Sequence, residues 1–209
     1  MGPRRKRIPD GYADIARLYE EAWSFGPNEA LCNRHLQDKL VLLLMLDTAA
    51  RPSDLQHLYR VTDGAQRQII FNGKDMQIRY FYSKEVDPGS ARQNSSNTYF
   101  SSWVPVFGTT PIEIDTVTVM KEFLRRTTDA RLYQQVHVPQ LQQMCQTLVF
   151  STSRQGKLKA ASVDYISHIV RDAIIRMRLG NMQTAHIRGA SKVVQLVPTA
   201  EAAIMKLGR

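Results

Sequence analysis

The chain has 209 residues, enough for one substantial domain or for a domain with a short arm. Lys and Arg number 28 against 19 Asp and Glu, a formal net charge of +9, which favours a polyanionic partner, either nucleic acid or an acidic membrane surface. The longest apolar run, Leu40 to Leu46, is far too short to cross a bilayer, so no transmembrane segment is predicted.

The N-terminal region is basic. The cluster Arg4-Arg5-Lys6-Arg7 is typical of a nuclear-import signal, of an arm that contacts phosphates, or of a solvated basic tail. We interpret residues 1–29 as a basic arm with a linker helix, and residues 30–209 as one domain. Cys32 and Cys145 lie far apart without metal-ligand spacing, and we expect both to be reduced thiols in an intracellular protein.

The first elements are predicted to be helices. A helical pattern runs from Tyr12 to Ser24 and is broken by Gly26-Pro27-Asn28. A second helix is predicted from about Leu36 to Ala50, and its second half is apolar on every side. Such a helix is expected in the middle of the domain.

Arg51 is predicted to lie at a junction between two helices. Proline disfavours the helical conformation for the residue before it and suits the first turn of a new helix. We therefore expect the buried helix to end at Arg51 and another to start at Pro52, with Asp54 near its positive end.

A small antiparallel sheet is predicted next. Gln68 to Tyr82 is rich in β-branched and aromatic residues, and Asn72-Gly73 is a strong turn signal. The polar stretch Lys84 to Asn97 is interpreted as a flexible hairpin, and Tyr99 to Phe107 as a further strand.

The remainder is predicted to be helical. The pattern indicates helices from Thr116 to Arg126, from Ser162 to Leu179 with Ser162 as the cap, from Arg188 to Val197, and from Thr199 to Leu207. The expected fold class is therefore mainly α with one small antiparallel β-sheet, an α+β architecture.

The candidates for catalytic chemistry are Arg51, Lys84 and the run Ala185 to Ala190, which contains His186 and Arg188. Arginine forks match phosphate oxygens bidentately and can stabilise a pentacoordinate phosphorane without a metal ion. A lysine or histidine can transfer a proton to or from an oxygen. The alternative is that these arginines make structural salt bridges or cap carbonyls. The five histidines are scattered, and we expect no metal and no cofactor.

Two motifs resemble the signatures of the tyrosine recombinases, the phage-integrase-like enzymes. Leu42 to Leu58, which contains Thr-Ala-Ala-Arg-Pro-Ser-Asp-Leu, is similar to the first signature, where a buried helix is followed by Arg-x-Ser-Glu/Asp-Leu. Thr184 to Ser191 resembles the second signature, His-x-x-Arg, and its Arg-Gly-Ala-Ser continuation is similar to recombinases of Crypton and DIRS mobile elements. The resemblance covers roughly residues 30 to 209, which it identifies as an integrase-like catalytic domain.

The resemblance implies a role for each matching residue. Arg51 and Arg188 match the arginines that bind the scissile phosphate, and Asp54 matches the acidic residue that orients the site. Lys84 matches the hairpin lysine that serves as general acid, with Lys74 as a competitor. The implied reaction is cofactor-free strand cleavage and rejoining through a phosphotyrosine link.

The sequence departs from the family pattern at two points. Ala185 stands where the family has its histidine, and His186 follows one position late, which on a helix turns the side chain by about 100°. In addition, no tyrosine follows Arg188, since Tyr165 is the last of the eight tyrosines. We therefore expect an incomplete catalytic domain that does not cleave DNA by itself.

The expected partner is duplex DNA in the nucleus, with a homo-oligomer or a tyrosine-bearing partner subunit as further partners and no membrane partner. Two alternatives stay open: a non-catalytic DNA-binding regulatory module derived from a mobile element, and a helical protein-interaction domain.

Overall fold

A computed structural model describes residues 11–60, 67–81, 100–128, 135–153 and 155–178, without the side chains of 11–14 and 140. In this part of the chain the fold is a mixture of helices and small antiparallel sheets, which confirms the predicted α+β class. The helices are α1 (Gly11–Ser24), α2 (Asn33–Thr48), α3 (Pro52–Gln56), α4 (Thr116–Arg126) and α5 (Val163–Arg176). None of these helices is long and apolar enough to cross a membrane.

The strands form one three-stranded and two two-stranded antiparallel sheets within the described residues. The first sheet has the order β1-β2-β3, and the others pair β4 with β5 and β6 with β7. The strands are β1 (Ile69–Asn72), β2 (Asp75–Ile78), β3 (Val104–Val106), β4 (Gln135–Val138), β5 (Gln143–Gln146), β6 (Phe150–Thr152) and β7 (Leu158–Ala160).

The prediction that everything after the first sheet is helical was wrong, because β4 to β7 lie between α4 and α5. These strands are three or four residues long, and their few apolar residues give no extended alternation. These residues form strands because they pair with neighbouring segments of the same chain, and not because of their composition.

Helix α2 is the centre of the main core, as its apolar second half predicted. Every residue from Leu40 to Leu46 is buried, and α1, α4 and α5 all pack against this helix. Helix α1, assigned from sequence to an arm and linker, contributes Ile15, Leu18 and Ala22 to the same core.

Helix α2 ends earlier than predicted. Its last residue is Thr48, whose hydroxyl donates to the carbonyl of Leu44 at 2.6 Å, and Ala49 adopts the left-handed conformation with φ 53°. A left-handed residue is a common helix stop, but it is usually glycine or asparagine. The sequence around Ala49 therefore carried no stop signal, and the predicted end at Arg51 was three residues late.

The hairpin predicted from Asn72-Gly73 is confirmed, but its two-residue loop begins one residue later, at Gly73. Asn72 pairs with Asp75, so Gly73 and Lys74 form the two-residue loop. Gly73 has φ 65°, which fits a turn with glycine at its first central position.

The two later helices within the described residues agree with the sequence. Helix α4 has its predicted bounds, and Ser162 caps α5 by accepting from the backbone amide of Tyr165. Helix α5 ends at Arg176 rather than Leu179. The predicted hairpin over 84–97 and the predicted helices over 188–197 and 199–207 lie outside the described residues.

Candidate functional site

Arg51 and Asp54 are the two predicted site residues that the structure describes. Lys84, His186 and Arg188 lie outside the described residues, so their convergence with Arg51 stays a prediction. Lys74, the competitor of Lys84, is exposed in the β1–β2 turn.

Arg51 occupies the N-cap position of α3, as the proline at its C-terminal side predicted. Its carbonyl accepts from the amides of Asp54 at 2.9 Å and Leu55 at 3.2 Å, and its own amide donates to Oδ2 of Asp54 at 2.7 Å. The backbone of Arg51 is therefore held on both sides of the helix start.

The guanidinium of Arg51 takes no part in this capping. A guanidinium carries only donors, so it cannot accept from the first amides of α3. Its Nη1 atom lies below the surface and has no hydrogen-bond partner among the described residues. The structural role expected of a helix-end arginine, to cap carbonyls or form an ion pair, is thus not observed within the described part of the chain.

Asp54 is buried, with 5% of its surface exposed, and it lies close to the phenol of Tyr80. Burial raises the pKa of Tyr80, and the negative charges of Asp54 and Asp47 raise it further. The Tyr80 hydroxyl forms a 2.6 Å hydrogen bond with Thr48 Oγ1. Tyr80 is therefore a neutral phenol that joins the end of α2 to the first sheet.

Gln68 fixes the segment after α3 against the sheet. Its side chain is 1% exposed and accepts from the amide of Tyr59 at 2.8 Å. Its Nε2 donates to the carbonyls of His57 at 3.1 Å and Arg79 at 3.2 Å. This buried amide joins its own segment before β1 to the residues after α3 and after β2. No local pattern predicts it, because its partners are brought together only by the fold.

A carboxyl group lies four residues before Arg51, where α1, α2 and α4 meet. The hydroxyls of Tyr19 and Thr116 both donate to Asp47. Burial raises the pKa of Asp47 to about 6; the two hydrogen bonds oppose this shift and the charge of Asp115 adds to it. The sequence signal for Asp47 is a carboxyl group directly after the apolar run of α2.

A basic cleft of about 360 Å³ lies between β1 and the end of α4. No local pattern predicts this cleft, because its residues come from three separate parts of the chain. It is lined by Tyr59, Arg60, Arg67, Ile69, Ile70, Phe71 and Leu124.

The thiols agree with the sequence: Cys32 is exposed, Cys145 is buried, and both are free. Within the described ranges, no group of three or more His, Cys, Asp or Glu residues is arranged to hold a metal ion.

Comparison of the chain with family models, with curated proteins and with solved structures finds no match. The assignment of function therefore rests on the residues themselves.

Proposed function

We propose that this chain is a nuclear DNA-binding domain built like the catalytic core of a tyrosine recombinase, in which Arg51 binds a phosphate of duplex DNA. The observation that carries the proposal is the state of Arg51. Its backbone is fixed at the start of α3, while its Nη1 atom has no hydrogen-bond partner within the described ranges. A guanidinium held at a junction and left with donor capacity is suited to a bidentate phosphate contact.

The order of elements also supports the proposal. The buried helix α2, the junction at Arg51 and the three-stranded antiparallel sheet follow one another along the chain. Lys84 lies between β2 and β3 in the sequence, which is where the resemblance requires a hairpin lysine.

The chemistry open to this set of residues is binding and charge stabilisation. Arg51, together with Arg188, would hold the phosphate oxygens, and Lys84 or His186 would transfer a proton. Asp54, fixed against the backbone of Arg51, would orient that arginine. None of these groups replaces the nucleophile, so the proposed activity of this chain alone is DNA binding, with recombination requiring a tyrosine from elsewhere.

DNA binding is tested first by its salt dependence. If about five to eight phosphates are neutralised, a plot of log affinity against log salt has a slope of about −4 to −7. The measurement is fluorescence anisotropy with a labelled duplex between 50 and 200 mM salt, a range in which this effect is large. An affinity that does not change with salt would contradict the proposal and favour the protein-interaction alternative.

The role of Arg51 is tested by Arg51→Ala. We expect about a five- to tenfold loss of DNA affinity at low salt, about 1–1.4 kcal/mol, since the side chain contacts one phosphate of several. The matched control is Arg125→Ala, which removes the same charge from an exposed arginine bound to Glu122. Equal losses of DNA affinity in the two variants would contradict a specific phosphate contact, because Arg51 would then contribute no more than any other positive charge.

A further inference from the structure

Strand β1 forms an edge of the first sheet in the described part of the chain. Asn72 and Asp75 flank a two-residue loop, and such flanking residues are hydrogen-bonded to each other. Hydrogen-bonded and non-hydrogen-bonded pairs alternate along the hairpin. The pair Gln68 and Arg79 fits this alternation, because the amide of Arg79 donates to the carbonyl of Gln68 at 2.9 Å. The backbone amides and carbonyls of Ile69 and Phe71 therefore point away from β2.

These outward groups have no hydrogen-bond partner within the described ranges. An open edge of this kind presents alternating donors and acceptors to any extended chain that lies beside it. A peptide strand supplies both matching groups, whereas a nucleic-acid backbone supplies phosphate acceptors and no N–H donors for the carbonyls.

The basic cleft follows this edge. Ile69, Ile70 and Phe71 all line it, although successive side chains of a strand point to opposite faces. A cleft that contacts three consecutive residues must therefore run along the edge of the strand. Leu124 at the end of α4 lines the same cleft.

The charge of the cleft is positive. Nη1 of Arg60 donates to the carbonyl of Thr127 at 2.6 Å, which holds this guanidinium at the cleft. Nε of Arg67 lies below the surface without a hydrogen-bond partner among the described residues. Lys121 does not line the cleft, but its Nζ atom lies 5.5 Å from the centre of the Phe71 ring. The complementary partner therefore carries carboxylates.

We propose that the edge of β1 binds an extended acidic peptide segment of another protein as an added antiparallel or parallel strand. Backbone hydrogen bonds form to Ile69 and Phe71, a carboxylate of the peptide binds Arg67, and apolar side chains contact Ile70 and Leu124. Arg51 is not among the residues that line the cleft, so this interaction uses residues other than the proposed phosphate contact.

The probe is a labelled eight-residue peptide of alternating Glu and Val, titrated with the full chain and followed by fluorescence anisotropy. The matched peptide carries N-methyl groups at every residue, which removes the donors on both of its edges and blocks strand pairing without changing the charge. We expect N-methylation to weaken binding at least about tenfold, since several backbone hydrogen bonds are lost. Arg67→Gln should weaken binding of the unmodified peptide.

A second pair of variants tests the strand itself. Phe71→Pro removes an outward N–H and no hydrogen bond to β2, and proline is tolerated at such edge positions. Phe71→Val keeps the N–H and is the control. We expect the proline variant to lose peptide binding and the valine variant to keep it, while both retain the duplex affinity of the unsubstituted chain.

Three results would overturn the proposal: no binding of the unmodified peptide, equal binding of the N-methylated peptide, or full binding by a folded Phe71→Pro variant. Absence of peptide binding would show that the edge of β1 does not bind an acidic strand. Either of the other two results would show that the peptide is bound by charge attraction without strand pairing. Because the peptide comparison uses the unsubstituted chain, it stays decisive if the proline variant does not fold. Loss of peptide binding with intact DNA binding, or the reverse, separates this proposal from the proposed function.

Discussion

At the scale of single residues, Asp47 makes stability depend on pH. Its pKa is raised from 3.8 to about 6, mainly by burial. The folded state therefore binds the proton more tightly than the unfolded state. The free energy of unfolding is greatest below about pH 4, falls as the pH rises to about 6, and is then constant for this group. The full loss is on the order of 2–3 kcal/mol.

The measurement is urea unfolding of the unsubstituted chain and of Asp47→Asn between pH 4 and pH 7. Asparagine cannot titrate, so the unsubstituted chain should lose stability relative to the variant as the pH rises. The matched control is Asp164→Asn, an exposed aspartate in the first turn of α5. A stability difference between the chain and Asp47→Asn that stays the same at every pH would refute the role given to Asp47.

At the scale of the elements, a side chain of α2 completes the sheet formed by β6 and β7. Val149 accepts from the amide of Ala161 at 3.1 Å, so Phe150 directs its own backbone groups away from β7. Gln37, which is 1% exposed, donates to the carbonyl of Phe150 at 2.8 Å and accepts from its amide at 3.0 Å. The glutamine thus takes the place of a neighbouring strand.

This arrangement predicts that Gln37→Leu destabilises the chain. Two buried hydrogen bonds are lost while the backbone groups stay in place, at a cost of about 2–4 kcal/mol. The measurement is the midpoint of chemical unfolding, with the exposed Gln155→Leu as the control of the same chemistry. A Gln37→Leu variant as stable as that control would show that Phe150 does not need the glutamine.

The same contact explains which elements the sequence could predict. Helix α2 and the β1–β2 hairpin were found because an apolar run and a glycine turn are local signals. The strand β6 was missed because its partners include Gln37, 113 positions away in the chain. At the candidate site, Pro52 placed Arg51 at a junction, again a local signal. The cleft between Arg60, Arg67 and α4 depends on tertiary packing, which no short pattern encodes.

At the scale of the whole molecule, no residue of this sequence matches the nucleophile that the resemblance implies. Of the tyrosines whose side chains are described, Tyr19 donates to Asp47, and Tyr80 is buried with its pKa raised. Burial also raises the pKa of Tyr165, and the charge of Asp38 raises it further. Tyr80 and Tyr165 are thus weaker sources of phenolate than a free tyrosine, and no tyrosine follows Arg188 in the sequence.

We therefore predict that this chain alone forms no covalent link to DNA. Arginines and a lysine can stabilise a transition state, but transesterification needs a nucleophile in line with the leaving oxygen. The test is to incubate the chain with a nicked suicide substrate and to look for a protein–DNA adduct that survives denaturation.

A second reaction contains, in addition, an integrase-like subunit that carries the tyrosine. An adduct that forms on the tyrosine of that subunit would indicate a site shared between subunits. An adduct formed by this chain alone, on any of its eight tyrosines, would contradict the prediction and require a different active site, because binding to Arg51 by itself cannot produce that bond.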